Sequence, residues 1–371
     1  MGNRNSWVGT LQCFHMTVIV RSFAKINLGL AVGLPRPDGF HDLRTVYQTI
    51  ALHDILQVQV VRGSGIEIRC EDARVPRDGS NTCYRIAERV MAALQAKGRV
   101  VIEIEKRLPV QGGLGGGSGN AVATLLGLER ALKKELPPAE RFRIAAEVGS
   151  DLPLFLVGGT VLGVGRGEEV YPLPDLPAIP CVVATPEIGV STPKAFADWD
   201  AMMNGSPQGL KPQASVESRR SRSPVIGDGS KLTGGDASDR MIELGRVVSA
   251  WLSSSSQGKV KTGKGLSGVP ARHGGGRAET LLLDLVRTGI ENDFEQVVFP
   301  QYPELREVKR VLEIAGALYA SLSGSGSATY GLFASRAAAE KAAARLRKSG
   351  IPAVATRTVT RRQYWKAAFS F

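Results

Sequence analysis

The stretch LPVQGGLGGGSGNA, residues 108–121, constrains the fold of this chain more than any other part of the sequence. Six of the eight residues from Gly112 to Gly119 are glycine, and glycine costs about 0.5–1 kcal/mol relative to alanine in regular structure. The alternating segment 100–105 predicts a strand before the loop, and the alanine-rich segment 121–132 predicts a buried helix after it. A strand, a glycine loop and a helix N-terminus together form a phosphate-binding unit; a flexible loop with tight turns is the alternative.

The glycine loop does not follow the two best-known phosphate-binding patterns. It contains no G-x-x-x-x-G-K-[ST], and the sixth position counted from Gly113 is Ser118, where the dinucleotide-binding pattern requires glycine. A near match to the first pattern, GKVKTGKG at 258–265, has Gly265 where a magnesium-binding Ser or Thr is required. We therefore interpret that match as an accident of composition.

The net charge of +12 is concentrated in one segment of the 371-residue chain. Residues 204–278 hold twelve Lys or Arg against five Asp or Glu, and they are rich in Gly and Ser. This composition predicts a solvated insertion. A basic arm that binds RNA is the alternative, although no aromatic residues alternate with the charges as in a nucleic-acid platform.

The remaining composition excludes several classes of protein. No run of 18 apolar residues is present, so no transmembrane helix is predicted. The scattered cysteines predict neither a metal site nor a disulfide framework, and a cytoplasmic location is the expectation. These cysteines are Cys13, Cys70, Cys83 and Cys181.

Hydrophobic periodicity predicts further elements on both sides of the loop. Asn81 is the expected N-cap of a helix over 81–97. The C-terminal part has the order helix, strand, strand, helix, strand, which predicts a ferredoxin-like α+β sandwich. The predicted strands are 18–32, 56–61, 65–70, 179–186, 317–323, 328–334 and 352–359, and the other predicted helices are 278–288, 303–315 and 337–349.

The glycine loop resembles the phosphate-loop motif of the GHMP kinases, P-x-GGGLGGGSSNAA, with Gln111 and Gly119 as departures at its rim. Three other stretches are similar to motifs of the same superfamily and occur in the same order. They are FAKINLGLAVGLPRPDGFHDL (23–43), VGSDLPLFLVGGTVLGVGRGEEV (148–170) and LSGSGSATYGLF (322–333), with departures at Phe23, Phe40 and Ser150. The resemblance covers about 16–200 and 280–360.

The resemblance implies an α+β, two-domain GHMP kinase fold. An N-terminal ribosomal-protein-S5-like α/β domain that binds ATP is expected over 16–177, and a C-terminal ferredoxin-like α/β domain over 178–371. Residues 1–15 are expected to be a disordered extension, with Met16 as an alternative start. Residues 203–278 have no counterpart in the motifs and are expected to be a disordered basic insertion.

The resemblance is strongest to the GHMP kinases that phosphorylate the 2-hydroxyl of 4-diphosphocytidyl-2-C-methyl-D-erythritol in the non-mevalonate isoprenoid pathway. It implies ATP and Mg²⁺, a small-molecule substrate that is a cytidine diphosphate derivative of methylerythritol, and a monomer or homodimer without membrane or nucleic-acid partners. The metal ligand stays unassigned. A GHMP kinase for mevalonate derivatives or homoserine is a second hypothesis, and a nucleic-acid-binding protein that uses the basic insertion is a third.

Two residues are expected to be catalytic. Asp151, in GSDLP, is an ordinary helix or turn cap by its local sequence, and the resemblance implies that it takes the proton of the substrate hydroxyl. Lys25 lies in the apolar run AKINLGL and needs a partner if it is buried, because an unpaired buried charge is costly. The resemblance directs Lys25 to the γ-phosphate and predicts an ion pair with Asp151.

The resemblance also implies the binding residues. For the substrate, Phe40 and Phe196 are expected to sandwich the cytosine, His41 to hydrogen-bond it, and Asn27 to lie near the reacting hydroxyl. By local sequence alone, Phe196 is equally well a core residue and His41 a surface-turn histidine. For ATP, the expected residues are Asn81, Lys106, Pro109, Gly112, Gly113, Leu114, Gly115, Gly116, Gly117, Ser118 and Gly119.

Overall fold

The computed structural model describes residues 16–110, 112–205 and 291–370. The predicted N-terminal extension, nearly all of the predicted insertion and the predicted helix at 278–288 lie outside the described residues. The described part contains two β-sheets, and helices lie against both. None of the described helices is long and apolar enough to span a membrane.

The first sheet is built around one long strand, β2, which pairs on one edge with β1 and on the other with β4 and β5. β3 runs parallel to β4, and all other pairings in this sheet are antiparallel. The strands are β1 (Val18–Pro35), β2 (His41–Val61), β3 (Ile66–Cys70), β4 (Arg99–Glu105), β5 (Thr160–Val164) and β6 (Glu169–Pro172).

Helices pack against this sheet around a core in which Leu56, Ile102 and Leu125 are completely buried. The prediction that Asn81 caps a helix is confirmed, because its side chain accepts a hydrogen bond from the N–H of Cys83 at 2.8 Å. The prediction that the next helix begins at residue 121 was wrong, since it begins within the glycine loop at Gly116. The helices are α1 (Thr82–Ala93), α2 (Gly116–Leu132), α3 (Pro138–Val148) and α4 (Leu152–Phe155).

The second sheet has the strand order β10-β7-β9-β8, with every pairing antiparallel. Numbered from its own first strand, this is the order 4-1-3-2 of a βαββαβ unit, so the predicted ferredoxin-like arrangement is confirmed. Its strands are β7 (Pro180–Ala184), β8 (Tyr319–Leu322), β9 (Thr329–Leu332) and β10 (Ala353–Arg357). α7 (Pro303–Ile314) and α8 (Arg336–Lys348) cover one face.

The other face of the second sheet packs against the first sheet in a shared core that includes Ile26, Ile50, Val183 and Leu332. α5 (Thr192–Gly205) and α6 (Glu295–Gln301) pack beside β1, and the last helix, α9 (Arg361–Ala368), returns to the first sheet. The boundary predicted between residues 177 and 178 therefore stays a prediction, because the chain after it contributes to both cores.

The cysteines in the described part, Cys70, Cys83 and Cys181, are buried and form no disulfide. They contribute to the hydrophobic cores, as small apolar side chains do.

Candidate active site

Two positions of the glycine loop combine a left-handed backbone with close neighbours. Gly113 and Gly115 have φ angles of +77° and +69°, in the left-handed region that favours glycine. A Cβ atom on Gly113 would lie 2.1 Å from the carbonyl oxygen of Ser323, and one on Gly115 would lie 3.0 Å from Cγ of Lys25. The loop is thereby pressed against both β1 and the turn between β8 and β9.

The carbonyl oxygens of the loop are bound to the protein. Those of Gly112, Gly113 and Leu114 accept hydrogen bonds from Ala328 N at 3.1 Å, Ser323 Oγ at 3.0 Å and Lys25 N at 2.9 Å, respectively. These three contacts fix the loop through its carbonyl oxygens.

The first turn of α2 presents N–H groups that the helix itself cannot satisfy. No side chain of the described residues caps the helix at Gly115, and the first helical hydrogen bond runs from Gly119 N to Gly115 O at 2.8 Å. The N–H groups of Gly116, Gly117 and Ser118 precede that bond and have no acceptor within the helix. Together with the partial positive charge of the helix end they form a site for phosphate.

A cavity of about 500 Å³ lies beside these N–H groups, which is in the range of small-molecule sites. Asn81, Lys106 and Pro109 line it, as does every loop residue from Gly112 to Ser118. Gly119 does not, because its N–H bonds to Gly115 and its α-carbon packs against Phe23 and Ser22 of β1. The structure thus brings together all of the expected ATP-binding residues except Gly119.

The polar side chains of Asn81 and Lys106 are already bound at the cavity wall. Asn81 donates to the carbonyl oxygen of Pro76 at 2.6 Å in addition to capping α1. Nζ of Lys106 donates to the buried carboxylate of Asp54 at 2.7 Å. Asp54 was missed in the sequence analysis; its signal is a lone carboxylate in the strand ALHDIL.

The predicted ion pair of Lys25 and Asp151 is present, with 3.5 Å between Nζ and Oδ2. Lys25 is only 3% exposed, and its ammonium also donates to Oδ1 of Asn27 at 2.8 Å. Asp151 precedes α4 without forming a side-chain capping hydrogen bond, so the capping alternative lacks support. Because Lys25 also contacts the glycine loop, this carboxylate lies next to the phosphate site.

Asn27 is held rigidly beside Lys25. Its amide donates to Oγ1 of Thr45 at 2.8 Å, and that hydroxyl donates to the carbonyl oxygen of Gly29 at 2.8 Å. The chain of hydrogen bonds fixes the amide so that its oxygen faces the Lys25 ammonium.

The residues expected at the cytosine lie on β2, on the loop before it and on α5. The rings of His41 and Phe196 stack with centroids 4.9 Å apart, and Nε2 of His41 lies 2.7 Å from Oδ1 of Asp200. Phe40 is 49% exposed, and the guanidinium of Arg166 lies 4.9 Å from its ring centroid. The structure brings His41 and Phe196 together, whereas Phe40 contacts Arg166.

The turn GSGS between β8 and β9 borders the same site. The sequence analysis assigned no site residue to this turn. A Cβ atom on Gly324 would lie 3.5 Å from both Nζ of Lys25 and Oδ1 of Asn27. The amide of Asn292 holds the turn by donating to the carbonyl oxygens of Leu322 and Gly324, at 2.9 and 2.8 Å. The sequence signals were the two glycines of the turn and the dipeptide Asn292-Asp293.

Comparison with known proteins supports a kinase site. The family models described as "GHMP kinases N terminal domain" and "GHMP kinases C terminal" match residues 81–159 and 278–352. A 4-diphosphocytidyl-2-C-methyl-D-erythritol kinase of Solibacter usitatus is 37% identical over 317 residues, which are 85% of this chain and 81% of that protein. The chain belongs to the 4-diphosphocytidyl-2-C-methyl-D-erythritol kinase family of GHMP kinases. The equivalent protein of Acaryochloris marina is 34% identical over 324 residues, 87% of this kinase and 89% of that protein.

Solved structures agree with this assignment. A crystal structure of 4-(cytidine 5'-diphospho)-2C-methyl-D-erythritol kinase is 28% identical, has a TM-score of 0.62 and covers 92% of this kinase and 98% of that chain. A homoserine kinase from Cytophaga hutchinsonii, at 18% identity and a TM-score of 0.62 over 96% of this kinase and 98% of that chain, shares the fold. The expected two-domain GHMP kinase fold is confirmed, and the chain is an ATP-dependent kinase of isoprenoid synthesis.

Proposed function

We propose that this kinase transfers the γ-phosphate of ATP to the 2-hydroxyl of 4-diphosphocytidyl-2-C-methyl-D-erythritol. The observation that carries the proposal is the ion pair of Lys25 and Asp151 beside the unsatisfied N–H groups of α2. The names of the similar proteins support the choice of substrate. Mevalonate and homoserine kinases resemble this chain at 12% and 18% identity, which supports a common fold only.

In the proposed reaction Asp151 is the general base. Its carboxylate takes the proton of the substrate hydroxyl, whose oxygen forms a bond to the γ-phosphorus while the bond from that phosphorus to the β,γ-bridging oxygen breaks. The electron pair of the broken bond leaves with ADP. Lys25, buried and oriented by Asn27, neutralises charge on the transferred phosphoryl group, and burial strengthens this interaction relative to water.

The donor set fits Mg²⁺ that is held chiefly by the nucleotide. No group of three His, Cys, Asp or Glu residues within 16–110, 112–205 and 291–370 could hold a metal ion. Mg²⁺ commonly keeps few protein ligands and binds substrate phosphates; the Ser118 hydroxyl, at the cavity wall, is the protein oxygen that would hold it. When bound, the ion would neutralise negative charge on the phosphate groups.

We further propose that His41, Phe196 and Phe40 bind the cytosine. The carboxylate of Asp200 accepts a hydrogen bond from Nε2 of His41, and in the neutral form of an imidazole so bound Nδ1 would be an acceptor. An acceptor suits the exocyclic amino group of cytosine. The exposed ring of Phe40 offers a surface on which a base can stack, at about 1–3 kcal/mol per base.

The decisive experiment measures ADP release by the purified protein with ATP, Mg²⁺ and 4-diphosphocytidyl-2-C-methyl-D-erythritol. We expect turnover by the parent and a kcat lower by about 10²–10⁴-fold for Asp151→Asn, because a general base typically contributes that factor. Glu307→Gln, which neutralises an exposed carboxylate paired with Arg310, is the matched control and should retain parent activity.

Other outcomes would redirect the proposal. Equal turnover by the parent and Asp151→Asn would show that another carboxylate is the base. Turnover with mevalonate derivatives or homoserine alone would favour the second hypothesis and remove the roles of Phe40, His41 and Phe196. Salt-sensitive retention on RNA that is lost on deletion of residues 204–278 would favour the nucleic-acid hypothesis.

A further inference from the structure

The two oxygens of the Asp151 carboxylate have different partners. Tyr47, on β2, donates its hydroxyl proton to Oδ1 at 3.0 Å. Oδ2 faces the ammonium of Lys25 at 3.5 Å, a distance longer than an ordinary hydrogen bond. Oδ1 therefore has a directed donor, whereas Oδ2 has a neighbouring charge and remains open to a substrate hydroxyl.

Two glycines make room for the Tyr47 side chain. A Cβ atom on Gly163, in β5, would lie 2.5 Å from Cε2 of the Tyr47 ring, and one on Gly167 would lie 2.6 Å from its hydroxyl oxygen. The backbone of Gly163 is extended β-strand that other residues can adopt, so the contact with the ring is what requires a glycine there. Because two separate positions leave space for one side chain, the ring has a defined place and its hydroxyl a defined direction.

We propose that Tyr47 is a positioning residue for the reaction: its hydroxyl holds Oδ1 of Asp151 so that Oδ2, beside Lys25, is the oxygen that takes the proton from the substrate. This inference rests on the proposed function. Nothing in the local sequence RTVYQTI distinguishes this tyrosine from a core residue. The contact is visible only when β2, β5 and the start of α4 are brought together.

The electrostatic environment supports a permanent donor at this position. Burial, and then the negative charges of Asp151 and Glu168, raise the pKa of Tyr47 well above its usual value. The hydroxyl is therefore protonated throughout the range in which a kinase works. The charged groups around it are Asp151, Glu168 and Lys25, whose ammonium lies 5.6 Å from the ring centroid.

The first test is Tyr47→Phe, which keeps the ring beside Lys25 and removes only the hydroxyl. We expect kcat to fall about 10- to 100-fold, the range for losing a hydrogen bond to a charged group, while KM for ATP and substrate change less than about threefold. Tyr171→Phe makes the same chemical change on a side chain that is 53% exposed and should match the parent.

The second test is Gly163→Ala, which retains the hydroxyl but displaces the ring. We expect kcat to fall, as in Tyr47→Phe, without a change in KM, provided that thermal unfolding shows a folded protein. Parent-like kcat in a folded Tyr47→Phe variant would overturn the inference.

A measurement without substrate separates this inference from the proposed function. The carboxyl ¹³C chemical shift of Asp151 can be measured by NMR at a fixed pH, with Asp151→Asn used to assign the signal. Because Tyr47 donates to Oδ1 of this carboxylate, we expect the signal to move in Tyr47→Phe even if the parent fails to phosphorylate the cytidine substrate. An identical chemical shift in parent and variant would refute the role of Tyr47, whatever the substrate.

Discussion

Asp54→Asn is expected to destabilise the protein and weaken ATP binding while leaving the chemical step nearly intact. Asp54 is completely buried and accepts four hydrogen bonds. Oδ1 accepts from the backbone N–H groups of Arg107 and Leu108, both at 2.7 Å. Oδ2 accepts from Nζ of Lys106 at 2.7 Å and from Nδ2 of Asn120 at 3.0 Å. This carboxylate therefore joins β2 to the start of the glycine loop and to α2.

The size of the effect follows from these four contacts. An amide at this position retains one oxygen for the two backbone donors and turns its NH₂ group towards Lys106 and Asn120. Oδ1 of Asn120 is buried without a partner among the described residues, so rotation of that amide would recover one bond. The lost bond to Lys106 costs about 1.5–3 kcal/mol, and water in the adjoining cavity can solvate the ammonium in part. We expect a loss of about 2–3 kcal/mol.

The effect on kinetics should fall on the nucleotide. Arg107, Leu108 and Lys106 lie at the end of β4, from which the chain enters the glycine loop, and Lys106 lines the cavity. We expect KM for ATP to rise about tenfold, the equivalent of about 1.4 kcal/mol. Because the ion pair of Lys25 and Asp151 lies on other strands and turns, kcat should change less than about threefold.

Urea unfolding of a double-mutant cycle tests this reasoning. Lys106→Met in the Asp54→Asn background removes the cation that has lost its partner, and we expect a coupling of about 2 kcal/mol between the two sites. Glu67→Gln, at an exposed ion pair with Arg69, is the control and should unfold like the parent. The reasoning is refuted if Asp54→Asn unfolds like the parent, or if the two substitutions are simply additive.

Two further predictions concern the glycine loop and the buried thiols. Gly113→Ala places a Cβ atom 2.1 Å from the Ser323 oxygen at a φ of +77°, so it should lower stability by more than the roughly 1–2 kcal/mol of the left-handed backbone alone. Gly117→Ala, in α2 and with its nearest neighbour at 3.6 Å, should be at least as stable as the parent in urea unfolding, because alanine is the better helix former. Burial raises the pKa of the Cys83 thiol to about 12 and also raises the pKa of Cys181. Both folded pKa values exceed the unfolded value of about 8.5. The contribution of the neutral thiols to the free energy of unfolding is therefore fully present at pH 7. It falls above about pH 8.5, by up to about 1.4 kcal/mol per pH unit for each thiol. Urea unfolding at pH 7.5 and 10 measures the loss, which Cys83→Ala should reduce; equal stability of the parent at both pH values would contradict the prediction.

Sequence patterns correctly predicted the strands and the helix cap that depend only on neighbouring residues. The alternation in 65–70 and 100–105 corresponds to β3 and β4, and the Asn81 cap is present. The start of α2 was misplaced because glycine has a low helix propensity, and the segment GGSG does not look helical. Its first turn is helical because Leu114 and Gly115 are held against β1 and α4, and the unsatisfied N–H groups of that turn are what a phosphate requires.

Side chains of the site differ in how far the sequence revealed them. Lys25 was identified as needing a partner because a charge in an apolar strand is costly, and the resemblance to a family supplied that partner. Asp54 carries the same kind of signal, a charge in a strand, and was overlooked, whereas Tyr47 carries none. A tyrosine in an apolar strand is an ordinary core residue until its hydroxyl is seen to meet a carboxylate from a turn more than a hundred residues later.

The turn at the end of β8 gives the clearest reason why part of the site cannot be predicted from short stretches of sequence. In the sequence, a tight turn alone accounts for Gly326, yet a Cβ atom there would lie 2.5 Å from the nitrogen of Gly113. Gly113 in turn meets the oxygen of Ser323. Each glycine is therefore required by the other segment, and neither requirement exists until the two sheets have packed. The glycine loop is positioned by the turn between β8 and β9 of the C-terminal sheet. A substitution at Gly326 should therefore weaken ATP binding, although Gly326 lies more than two hundred residues after the loop.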